Sequence, residues 1–162
     1  MSYAVYTTRG FILGSSPTGE ASKLYVLYTE DFGLIRAKAQ GVRLVQSKLR
    51  YNLEDYSFCT ISLVRGKEFW RITGAVSDTS PKETVILRAR VLNLVRRLVQ
   101  GEEKNEKLFE ALLPLASSVI SEVSILSQIL FSLGYLDIST VQGKSDRETI
   151  MLINKAIKET QL

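Results

Sequence analysis

Apolar and polar positions alternate along most of residues 1–80 and then change to a helical spacing. Tyr3 to Leu13 is rich in β-branched and aromatic residues and predicts a strand, ended by the cluster GSSPTGEAS, Gly14 to Ser22. Lys23 to Thr29 predicts a second strand, and Glu30, Asp31 and Gly33 a solvent-facing turn. Leu34 to Gln40 follows as the third strand, with Ile35, Ala37 and Ala39 on one face and Arg36 and Lys38 on the other. Tyr56 to Arg65 predicts the fourth, Gly66 and Lys67 a two-residue hairpin loop, and Glu68 to Val76 the fifth. Five short antiparallel strands invite closure into a small barrel, because closure removes exposed edges. The pattern leaves an OB-type and an SH3-like barrel both open.

The second half reads as helices. Ser80, Pro81 and Glu83 make a helix start with an N-cap, a proline at the first helical position and a capping-box glutamate. Leu87, Val91, Leu94, Val95 and Leu98 then share a face up to Gly101, with Arg90 and Arg97 at its polar margin. Asn105 suits an N-cap, and the stripe Leu108, Leu112, Leu115, Ala116, Val119 passes through Pro114, which should kink or split that helix. Ile125, Leu126, Ile129, Leu130 and Leu133 form another stripe, stopped by Gly134. Ser145 and Glu148 open a last helix reaching about Thr160. The expected fold class is therefore α+β: a five-stranded barrel over 1–79 and a small all-α domain over 80–162, sharing an interface that covers the helical stripes.

Charge sharpens this picture only locally. The formal net charge is +4, yet Arg36, Lys38, Arg43, Lys48 and Arg50 all fall between Leu34 and Arg50, a stretch with no acidic residue. Such a cluster on a small β domain suits a phosphate backbone, whose neutralisation releases condensed counterions; a solvated basic loop is the alternative. Sequence-independent binding also needs aromatic faces for bases. Most aromatics here are required for the core, Trp70 among them, and Tyr51, beside Arg50, is the candidate for stacking.

Other chemistry is poorly supplied. With no histidine and one cysteine, Cys59, the usual zinc sites cannot be assembled, and His- or Cys-based nucleophilic catalysis lacks its players. Cys59 lies in the apolar run FCTISLV and should be buried and inert. Glu54–Asp55 and Glu102–Glu103 are adjacent pairs that do not face each other, so no acid/base pair is expected. Val119 to Leu136 is broken by polar residues and predicts a core helix, not a membrane span. MSYAVYTTRG lacks the apolar core of a signal peptide, and a reducing cytoplasmic setting is expected.

The segment TRGFILGSSPTGEASKLYVLYTEDFGLIRAKAQGVR, followed by SKLR, resembles the N-terminal domain of the RecO family of bacterial recombination mediators. The resemblance is carried by Glu20-Ala21, Thr29 to Gly33, Lys38 to Arg43 and Ser47 to Leu49, then by Arg65-Gly66 and the run ILFSLGYLD, Ile129 to Asp137. It implies an OB-fold domain followed by a helical domain, binding of single-stranded and duplex DNA, and strand annealing. It also implies help in loading the RecA recombinase, with RecR and single-strand-binding protein as partners; with no histidine and no nucleophile motif, neither a catalytic role nor a cofactor is expected. Many family members carry a cysteine-rich zinc-binding insertion after the L-G-Y step. Here LGYLDISTVQGKSDRE leads directly into a helix, so a shortened helical domain without zinc is expected. Arg36, Lys38, Arg43, Lys48, Arg50 and Tyr51 are the expected DNA contacts. A protein–protein adaptor built on the same barrel is the competing reading.

Overall fold

Strand β1, Val5–Thr18, is bent in the middle, and the bend sets the architecture. The computed structural model describes residues 2–78, 82–117 and 120–160. Along β1, Val5 to Phe11 pairs with β4, Phe58–Val64, while Gly10 to Thr18 pairs with β2, Ser22–Thr29. The register slips between Ile12 and Gly14, a bulge that lets one strand serve two neighbours by curling between them. The strand therefore does not stop at Leu13, as its breaker residues predict. It continues through Gly14 to Thr18, where β2 is its only sheet neighbour among the described residues, and the missing N–H of Pro17 is tolerated at such an edge.

Strand β3, Gly33–Ala39, pairs with β2, and β5, Trp70–Ser77, pairs antiparallel with β4 and parallel with β3. The order β1-β2-β3-β5-β4 closes into a barrel of OB type. The β4–β5 connection is Arg65 to Phe69, five residues in place of the expected two-residue turn, and Glu68 lies outside the strand. The loop is drawn outward: Arg65 lies 4.7 Å over the Trp70 ring and pairs with Glu102 at 3.2 Å.

The barrel interior is filled by Ile12, Tyr25, Leu27, Ile35, Leu63 and Trp70 with their neighbours. The alternate residues Phe11, Leu13 and Tyr28 point outward and are equally buried, because helices cover them. Helix α1, Val85–Leu98, follows a single 3-10 turn at Lys82–Thr84; the expected start at Ser80 and Pro81 lies outside the described residues. The buried face of α1 is Arg88, Val91, Leu92 and Val95, turned from the expected stripe so that an arginine lies within it. Asn105 caps α2, Glu106–Leu112, its side chain accepting from the Leu108 N–H at 3.0 Å. Pro114 splits off the short α3, Pro114–Ser117, as expected of a residue that cannot continue the ladder; Val119 lies outside the described residues.

Helix α4, Glu122–Ser132, ends at Gly134, which has a φ of 80°. A one-turn helix α5, Ile138–Val141, capped by Asp137, was not predicted. The Ser145–Glu148 capping box opens α6, Asp146–Glu159, as read from the sequence. Among the described residues no helix is long and apolar enough to cross a membrane. The loop after α1 lies on the β2–β3 turn so closely that a Cβ on Gly33, at φ 64°, would be 2.2 Å from the Glu103 carbonyl oxygen.

Candidate nucleic-acid interface

Strand alternation places Arg36 and Lys38 on the outer face of the β2–β3 ladder, opposite Val26 and Leu24. Lys38 is also in register with Arg71 on the neighbouring β5. Both side chains are exposed, and like charges at paired positions repel unless an anion lies between them. Arg36, Lys38 and Arg71 have no ion pair among the described residues. In an OB fold this is the face, together with the β1–β2 and β4–β5 loops, on which oligonucleotides are bound.

The remaining expected cations belong to the segment between β3 and β4. Gly41 is in the left-handed region, φ 67°, and turns the chain so that the Arg43 N–H bonds the Ala21 carbonyl at 2.9 Å. The Arg43 guanidinium donates to the Glu20 carbonyl at 3.2 Å, tying this segment to the β1–β2 loop. Arg43, Arg50 and Lys23 surround a cleft of about 450 Å³ with Val42, Tyr25 and Leu53 in its wall and Glu54 and Asp55 on its rim. Asp55 accepts from the Ser15 hydroxyl at 2.8 Å. Burial, with Asp55 adding to it, pushes the Tyr25 phenol up to about 12, so this ring meets the cleft uncharged. Lys48 and Tyr51 lie on a 3-10 turn, Lys48–Tyr51, both exposed, and the Tyr51 side chain is 70% accessible.

The six expected contacts are thus grouped, not aligned. Arg36 and Lys38 share the sheet face, Arg43 and Arg50 share the cleft, and Lys48 and Tyr51 flank it on the exposed turn. Sequence reading missed Lys23, Arg71 and Arg96, whose places depend on which distant elements become neighbours. Several other cations are occupied. Arg9 holds Glu30 through two hydrogen bonds of 2.7 and 2.8 Å, which keep the Glu30 carboxyl below its usual range, and Asp31 accepts from Thr8 at 2.7 Å. The turn at Glu30 and Asp31 is therefore tied to β1 and not merely solvated. Arg90, a margin residue of α1, pairs with Glu122 at 3.1 Å.

Aromatic supply is limited in the same way. Phe11, Tyr25, Tyr28 and Phe58 are buried, and Trp70 is 3% exposed with its indole N–H donating to Glu102 at 3.3 Å. Tyr6, Phe32 and Trp70 pack edge and tilt together at one end of the barrel, with centroids 4.8 to 5.7 Å apart. Cys59 is fully buried, and burial pushes its thiol up to about 12, so it supplies no thiolate at neutral pH.

Residues 1–79 match the family described as "Recombination protein O N terminal". The chain is 28% identical over 143 residues to "DNA repair protein RecO" of Dehalococcoides mccartyi, covering 85% of this chain and 55% of that relative. A protein of the same description from a second strain is 31% identical over 140 residues, covering 83% of this chain and 54% of the relative. That of Rubrobacter xylanophilus is 36% identical over 74 residues, covering 46% and 30%. The chain spans about half the length of the first two relatives.

Proposed function

We propose that this chain, which belongs to the RecO family, is a non-catalytic DNA-binding protein of recombinational repair that holds single-stranded DNA through its barrel and promotes annealing. The observation that carries the reading is the triad Arg36, Lys38 and Arg71, without an ion pair among the described residues, on the β2–β3–β5 face of an OB-type barrel. Cations there neutralise backbone phosphates without reading base edges, which makes binding tolerant of sequence. Arg43, Lys48 and Arg50 continue the contact along the segment after β3, with Tyr51 offering a face to one base. Annealing follows chemically from the same surface, since a neutralised backbone lets two like-charged strands approach. Help in recombinase loading, with RecR and single-strand-binding protein as partners, belongs to the same proposal.

The test is anisotropy of a labelled oligonucleotide across a range of salt concentrations. With about three to five phosphates neutralised, log affinity against log salt should have a slope of roughly −2 to −3.5. Reversing Lys38, Arg43 and Lys48 together to Glu should weaken binding and abolish annealing while circular dichroism stays unchanged, because all three side chains are exposed. A folded triple variant with wild-type affinity and slope would remove the proposed surface. An adaptor would instead bind its protein partner with little salt dependence and ignore the triple change.

A further inference from the structure

The bulge of β1 makes room for a residue of the helical unit. A Cβ on Gly14 would stand 2.9 Å from Nη1 of Arg96, so the guanidinium of this α1 residue lies directly over the strand where it bends. Arg96 and Arg36 then line one cleft of about 220 Å³ together with Ser15, Ser16, Leu24 and Val26, and no carboxylate. The same two arginines also line an adjoining groove of about 500 Å³ that reaches Phe69 of the β4–β5 loop. Glu68 and Glu102 lie along that groove, but Glu102 is already held by Arg65 at 3.2 Å.

Neither Arg36 nor Arg96 has an ion pair among the described residues. Two arginines lining a small cleft free of acids raise its potential, and an anion between them relieves their repulsion. The cleft is below the roughly 300 Å³ at which pockets for larger ligands begin, a size for a phosphate and not for a base. Guanidinium forks match phosphate oxygens in pairs. Phe69, half-buried at the groove's far side, offers a ring to whatever is attached to that phosphate.

We propose that Arg36 and Arg96 clamp one backbone phosphate between the barrel and α1, with the attached base in the adjoining groove against Phe69. The inference rests on the proposed single-strand binding and extends it: the strand's path crosses from the sheet onto the helical unit, and Arg96 is a contact residue. Gly14 serves the site by leaving space for that side chain.

The experiment uses the full chain and compares Arg96→Gln with Arg97→Gln, the neighbouring α1 cation that lines neither cavity. Single-strand affinity should fall about five- to tenfold in Arg96→Gln, with the salt slope reduced in magnitude by about 0.7, and be unchanged in Arg97→Gln. Arg96→Lys should keep the slope and recover part of the affinity, because charge is retained without the fork. Phe69→Ala should weaken binding with the slope intact. Wild-type affinity and slope in a folded Arg96→Gln overturn the clamp while leaving the proposed function standing. If the wild-type chain binds no single strand, that function falls, and titration with inorganic phosphate gives the second reading. Shifts of the Gly14 to Ser16 amide resonances that vanish in Arg96→Gln would then mark a free-phosphate site and overturn the DNA clamp; absence of shifts overturns the anion cleft itself.

Discussion

Arg88 is 5% exposed on the inner face of α1, and its Nε and Nη1 have no hydrogen-bond partner among the described residues. Burial pushes the guanidinium below its usual pKa, but a guanidinium is so strong a base that it stays charged at neutral pH. An unsatisfied buried charge costs more than the stabilisation its aliphatic stem returns. Arg88→Met, which keeps the stem and deletes the charge, should therefore raise stability by about 1–2 kcal/mol. Urea unfolding checks this as a higher midpoint with unchanged slope, and a lower midpoint would refute it. A second residue-scale prediction concerns alkali. Cys59 rises from 9.0, and Tyr25 and Tyr28 from 10.0, each to about 12 in the folded chain. All three release protons more readily when unfolded, so the unfolded state holds fewer protons between about pH 9 and 12. Their contribution to stability is complete below pH 9 and is lost as pH rises through that window. Unfolding midpoints should be level from pH 6 to 8 and fall steeply above 9, with Cys59→Ala moving the onset upward.

At the level of elements, what the pattern specifies locally was legible and what depends on remote neighbours was not. Period-two alternation in Leu34 to Gln40 gave β3 and the outward side of Arg36 and Lys38, because only local backbone geometry decides which way a strand residue points. The Ser145–Glu148 box and the Asn105 cap were legible for the same reason: both partners lie within one turn. Strand β1 was cut short because Gly14 and Pro17 are breakers in general, and only the bulge and the one-sided edge make them tolerable here. The connection from Arg65 to Phe69 was misread because its shape is set by Trp70 and Glu102, the latter from the linker after α1. Arg71 became a neighbour of Lys38 through a parallel pairing between nonconsecutive strands, which no local spacing encodes. Arg96 meets the barrel at Gly14, where the register of β1 shifts, a neighbourhood that no local spacing encodes. The site is thus half a local pattern and half a consequence of closure.

At the scale of the whole molecule, the change of period near residue 80 divides the chain but not its core. Phe11, Leu13, Tyr28 and Phe58 of the barrel form one buried cluster with Val91, Leu92, Val95, Phe109, Leu112 and Ile129 of the helices. Phe109 is its centre, with ring centroids 6.3 to 6.4 Å from Phe11, Tyr28 and Phe58, and Arg9 stands 5.8 Å over its face. Removing the helices would expose four large aromatic and aliphatic side chains on the barrel wall, and removing the barrel would strip the inner faces of α1 and α2. We therefore expect the units 1–79 and 80–162 to unfold together, and residues 81–162 alone to be molten or poorly soluble. Phe109→Ala leaves a cavity at the junction and should cost about 3–5 kcal/mol. The chain carries its own reporters for the coupling. Trp70, its single tryptophan, is buried in the barrel, whereas far-ultraviolet dichroism at helical wavelengths follows α1 to α6. If the core is shared, both signals should move to lower denaturant by the same amount in Phe109→Ala and remain superimposable, as two-state unfolding requires. A variant in which the helical signal is lost first, with Trp70 unfolding at its wild-type midpoint, would show a barrel that stands alone, and the joint core would then be packing without coupling.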